Sequence, residues 1–176
     1  MSRATPLKRR SIGLTQLVAS KKEELKAARE KALFEEFCAV AGLAPKDVTA
    51  QLPPRPDIRC TVNGVQKEFE LVEITDQSVA IGLAQSIKTG EVTGGAFSQE
   101  EPLLYSFESK QKKTYQASST IELLAYYDKQ YPWSYEDPTF IPGVITPTAK
   151  TMIDSGVWSR IWVYDTWKKN VLWVYP

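Results

Sequence analysis

An Asn-Gly pair at positions 63 and 64 stands between two runs of strand-forming residues, and no other feature restricts the backbone so tightly. Asn and Gly tolerate the positive φ that tight hairpin turns require, and such turns join neighbouring antiparallel strands. Ile58-Arg59-Cys60-Thr61-Val62 alternates before the turn, and Val65 to Ile74 returns after it as the partner strand. Simple register puts Asp57 opposite the Glu70 region, so two carboxylates converge on one face. Strand alternation sets Glu70 and Val72 on one side and Glu73 on the other, unless a bulge intervenes.

The hairpin is flanked by elements of other periods. From Thr15 to Val40 apolar residues recur by threes and fours (Leu17, Val18, Leu25, Ala28, Ala32, Leu33, Phe37, Val40), which predicts a long amphipathic helix stopped near Gly42 and Pro45. Its Glu23, Glu24, Glu30, Glu35 and Glu36 read as solvated, with one free to face a neighbouring site. Residues 44 to 56 end in Leu52-Pro53-Pro54-Arg55-Pro56 and read as loop. Beyond the hairpin, Thr75 or Asp76 caps a short helix over Gln77 to Lys88, and Thr89 to Glu101 reads as loop. A helix over Leu103 to Tyr115 ends in Lys110, Lys112 and Lys113, which suits a helix C-terminus. Ile121 to Tyr127 has the composition of a buried strand. A loop over 130–142 and a helix over Thr146 to Ser155 follow, then a hairpin from Trp158–Tyr164 to Val171–Tyr175. The order describes an α/β chain with one domain over 15–176 behind a basic flexible arm at 1–14.

Composition narrows the chemistry. The chain has 176 residues and no His, which removes Ser-His-Asp and Cys-His catalysis and histidine-based metal sites. Cys38 and Cys60 are too far apart in sequence for a CxxC pair, and Cys38 in its apolar stretch reads as an inert buried thiol. A reducing, cytoplasmic setting fits. No apolar run reaches the roughly 18 residues of a spanning helix, so no membrane association is expected. Residues 1–31 hold nine Lys and Arg against three Glu, while the remainder holds thirteen against eighteen acids. Lys8, Arg9 and Arg10 in that basic arm are the candidate phosphate contacts.

Phosphodiester hydrolysis without His requires a hard cation, and Mg²⁺ takes carboxylate oxygens. Pro56-Asp57, a hairpin, then Glu70-Leu71-Val72 resembles the PD-(D/E)XK signature of the restriction-endonuclease-like superfamily. The chain is similar in particular to uncharacterised members carrying a PPDF…G…EV(T)E stretch, a K..KY element, a DLLIY strand and a final RVWVYD hairpin. The counterparts are Asp57, Gly64, Glu70-Leu71-Val72-Glu73, Lys110-x-x-Lys113-x-Tyr115, Glu122 to Tyr127 and Arg160-Ile161-Trp162-Val163-Tyr164-Asp165. The resemblance covers about residues 15 to 176 and implies a single restriction-endonuclease-like domain, an αβββαβ-type core with a C-terminal β-hairpin. It further implies DNA as substrate, and Mg²⁺ or Mn²⁺ held by Asp57 and Glu70.

The chain departs from that pattern at Val72, where active nucleases carry a lysine that orients water and neutralises phosphate charge. Two readings follow. In one, a helix lysine, Lys110 or Lys113 and less readily Lys88, reaches the same space, with Glu73 or Gln85 assisting. In the other, the fold is kept without cleavage and serves as a nucleic-acid-binding or protein-interaction module, in mobile-element or defence systems by analogy. A structural subunit that self-associates through its aromatic hairpin is a third reading. Trp158, Trp162, Trp167, Trp173 and Tyr175 read as core or cross-strand pairs rather than base-stacking platforms.

Overall fold

The computed structural model describes residues 7–75, 90, 102–128 and 140–176. In order they form α1 (Leu7–Ala41), β1 (Lys46–Ala50), β2 (Ile58–Val62), β3 (Val65–Glu73), α2 (Pro102–Gln111), β4 (Ile121–Tyr127), α3 (Phe140–Asp154), β5 (Trp158–Asp165) and β6 (Asn170–Tyr175). The six strands make one mixed sheet in sequence order. β1, β2 and β3 are antiparallel, β3, β4 and β5 are parallel, and β6 returns antiparallel to β5. This is an α/β architecture. Each parallel step crosses over through a helix, as parallel neighbours must.

The hairpin has the expected register. Asn63 and Gly64 take φ of 52° and 79°, and Ile58 pairs with Phe69, Cys60 with Lys67 and Val62 with Val65. Asp57, one residue before the pair Ile58–Phe69, therefore stands across from Glu70.

Two apolar layers cover the two faces of the sheet. On one, α1 sets Phe34, Phe37 and Cys38 against Ile58, Cys60, Phe69, Leu71, Leu124, Trp162 and Tyr164. Phe37 meets Trp162 and Tyr164 edge-on, with ring centroids 5.3 and 5.7 Å away. On the other, Leu103 and Phe107 of α2 and Ile145, Ala149 and Met152 of α3 pack on Ile121, Leu123, Ala125, Ile161 and Val163. β4 is buried at every position, which is why its sequence shows no alternation.

Several elements differ from the sequence reading. The segment read as loop over 44–56 contains β1, whose edge position and register shift between Lys46 and Thr49 hide its alternation. α1 starts at Leu7 rather than near Thr15, so Lys8, Arg9 and Arg10 fall within its first turns; their side chains lie outside the described residues. Leu25 and Val40, counted into its apolar face, are exposed; the buried α1 residues on the sheet are Phe34, Phe37 and Cys38. α2 ends at Gln111, short of Tyr115. α3 begins at Phe140 and contains Pro147; Pro142 falls in its first turn, where a missing N–H is tolerated. The helix read over 77–88 and most of the loop after it lie outside the described residues, with Lys88 and Gln85. Among the described residues no helix is long and apolar enough to cross a membrane.

Candidate functional site

Four elements meet at the end of the sheet where β3 finishes and β2 begins. Asp57, following Pro56, is buried at the start of β2, and its Oδ2 accepts a hydrogen bond from Leu71 N at 2.8 Å. The carboxylate thus both opens one strand and ties it to the next. Glu70 is buried on β3 and faces α2, where Lys110 donates to its Oε1 at 2.5 Å and to Leu71 O at 2.7 Å. The two side chains are only 10% and 6% exposed. A helix lysine therefore reaches the space beside Glu70, while Val72, on the same face of β3, packs against the apolar cluster.

α1 closes the site from the other side. Lys26 Nζ lies 3.1 Å from Glu30 Oε1 and 3.9 Å from Asp57 Oδ1. Of the five α1 glutamates left open by the sequence, Glu30 is the one turned toward Asp57. Glu36 accepts from Tyr164 Oη instead, at 2.9 Å. The signal for Glu30 was in the sequence as a Lys26–Glu30 pair at i, i+4 spacing, but only contact with the sheet picks it out.

The charges are strained against one another. Burial pushes the Glu70 carboxyl up, Asp57 pushes it further, and Lys110 and Lys113 oppose this without cancelling it. Glu30 is likewise raised, first by burial and then by Asp57, against Lys26 and Lys110. Burial works against the charge of Lys26, yet Glu30 and Asp57 hold its pKa above the ordinary value. The buried Tyr115 hydroxyl is raised by burial and by neighbouring Glu70. Three acids and two lysines gathered at one end of the sheet, with the Glu30, Glu70 and Lys26 pKa values all raised, form a polar site and not a set of separate surface pairs.

The sequence candidates divide accordingly. Asp57, Glu70 and Lys110 come together. Lys113 is exposed on the rim, within electrostatic reach of Glu70. Glu73 does not join them: β3 pairs with β4 without a bulge, so Glu73 turns to the α1 face, where Arg29 reaches it at 4.0 Å and Asp128 Oδ2 at 2.5 Å. Burial and Asp128 raise the Glu73 carboxyl, and Arg29 counters them. Arg29 and Tyr115 were not chosen from the sequence, where nothing ties either to a carboxylate.

Among the described residues no group of three or more Asp, Glu, Cys or His is disposed to hold a metal ion. Asp57 and Glu70 offer carboxylate oxygens, the donor type that a hard divalent cation takes. Mg²⁺ is commonly bound through one or two carboxylates and completed by substrate phosphate oxygens and water. Other buried acids have structural partners. Glu122 accepts from Lys67 Nζ at 2.5 Å and Trp162 Nε1 at 2.8 Å. Glu68 accepts from the backbone N–H groups of Ser118 and Ser119 at 2.8 and 3.2 Å. No family model, no curated protein and no solved structure matches this chain.

Proposed function

We propose that the Asp57–Glu70–Lys110 site hydrolyses DNA phosphodiester bonds with the help of Mg²⁺ or Mn²⁺, on a restriction-endonuclease-like domain. The observation that carries the reading is the buried ammonium of Lys110, 2.5 Å from Glu70 on an element other than the strand, which supplies from a helix the charge absent at Val72. The chain order of a helix, three antiparallel strands, a helix and a parallel strand supports the same reading.

The bound cation would supply electrophilic assistance to the phosphate and an acidified water. Asp57 and Glu70 would hold it. Lys110 keeps Glu70 oriented and lends positive charge where a phosphate gains negative charge. Glu30, with its carboxyl pKa raised by burial and Asp57, is suited to take a proton from water at a carboxylate oxygen. Lys26 holds Glu30 in place.

The rival, a nuclease fold that binds nucleic acid or protein without cutting, is favoured by Val72 packed against the core and by the engagement of both Glu70 Oε1 and Leu71 O by Lys110. Incubating supercoiled and single-stranded DNA with Mg²⁺ or Mn²⁺ separates the two. The cutting reading expects nicking that stops with EDTA and falls roughly 100-fold or more in Glu70→Gln and Asp57→Asn, the scale of losing one electrostatic group in a site. Absence of cutting by folded protein on both substrates overturns it.

A further inference from the structure

The turn between β5 and β6 presents one aromatic side chain to solvent. Trp167 is 70% exposed, while Trp158 and Trp162 are buried and Trp173 stacks on Tyr175 at 5.6 Å. Trp158 and Trp162 are therefore core and Trp173 and Tyr175, neighbours along β6, pack against it, as the sequence suggested, whereas Trp167 does not. Nothing about the turn is loose. Buried Asp165 accepts from the backbone N–H groups of Trp167 and Lys168 at 2.8 and 3.0 Å. Thr166 Oγ1 donates to Tyr127 O at 2.7 Å, and Lys169 pairs with Glu36 on α1. A turn tied down on three sides holds its indole outward instead of letting it fold onto the protein.

Register locates the turn. Asp165 pairs with Tyr127, and Tyr126 with Glu73, so Trp167 emerges at the end of the sheet where β3 and β4 finish. Two strand spacings, roughly 10 Å, separate β3 from β5. One indole followed by the exposed Lys168 is too small an apolar patch for a stable protein interface, but its two kinds of group match the two parts of a nucleotide.

We infer that Trp167 is a stacking platform for an unpaired base, with Lys168 beside the phosphates, so that the strand engaged at the neighbouring site is single-stranded or frayed; this rests on the nuclease reading. Indole faces stack on any base that is not already stacked in a duplex, and lysines next to them track the backbone.

The test measures binding of labelled oligothymidylate and of a fully paired DNA hairpin to the full chain in EDTA, where no metal-dependent cutting occurs. Trp167→Ala is expected to weaken oligothymidylate binding roughly 5- to 150-fold, the range for losing one stacked base. Hairpin binding should change little, and Trp167→Phe should retain most of the affinity. Lys168→Ala should reduce the slope of log K against log salt by about 0.7, one single-strand phosphate contact. Equal affinity of Trp167→Ala and wild type for oligothymidylate, with unchanged unfolding temperature, overturns the inference, as does a Trp167→Ala effect seen only on self-association in sedimentation. A parallel cutting assay separates the two ideas. Cutting with no Trp167 dependence of binding removes the platform alone; Trp167-dependent binding with no cutting sustains the platform and removes the hydrolytic reading.

Discussion

Replacing Lys110 by Met keeps most of the aliphatic stem and removes the ammonium, leaving Glu70 buried beside Asp57. Breaking a buried ion pair from one side costs about 3 to 5 kcal/mol when the remaining charge has no escape. Glu70 has one, because it can take up a proton. Its carboxyl already lies above the ordinary range through burial and Asp57, and loss of Lys110 raises it further. A carboxyl raised on folding lends stability that is full below its unfolded value and is lost as pH climbs through its folded value. The variant's deficit against wild type therefore widens with rising pH, by no more than one proton's worth, about 1.4 kcal/mol per pH unit. We expect about 1 kcal/mol at pH 5 and about 3 kcal/mol at pH 8, the latter a fall of roughly 6 to 12 °C in Tm for a chain of this size. Urea unfolding at both pH values, with unchanged slope, measures it. The double variant Lys110→Met/Glu70→Gln should recover most of the loss at pH 8. A deficit that is the same at both pH values, or a coupling in the double-mutant cycle below about 0.5 kcal/mol, would refute the reasoning.

Two further outcomes follow from buried groups elsewhere. Burial pushes the Cys38 thiol up to about 12 and the Cys60 thiol up to about 11, so neither should react with a disulfide reagent at pH 8 until the chain unfolds; labelling within minutes in the absence of denaturant would contradict this. Glu68→Ala strands the backbone N–H groups of Ser118 and Ser119 and should cost about 2 to 3 kcal/mol by thermal unfolding, and a change under about 0.5 kcal/mol would show that water replaces the carboxylate there.

Local chemistry decided what the sequence could reveal. The Asn63-Gly64 turn fixes the β2–β3 register, and with it the approach of Asp57 to Glu70, because turn geometry and strand period act over a few residues. The all-apolar composition of β4 was equally legible. β1 was not, since an edge strand with one broken register carries little alternation. The site was legible along β2 and β3 and illegible across them. That Lys110 closes on Glu70 depends on where α2 stops, at Gln111 and short of Lys113, and that Glu30 rather than Glu35 faces Asp57 depends on how α1 is rotated against the sheet, which no spacing within the helix specifies. Glu73 is the converse case: strand alternation alone assigned it to the far face, and Arg29 is found there with it.

The link from Lys110 to Glu70 and Leu71 joins residues 40 and 39 positions apart, and this changes how such a site is to be sought. When the cation sits on the same strand as the acid, a short consecutive string announces both. Here the acid is on one element and the cation on another, and the chain between them is free to vary in length without disturbing either. A scan for words in the sequence passes over a grammar of this kind, whereas a scan for a carboxylate on a strand and a lysine on the last turn of the crossover helix that covers it would find it.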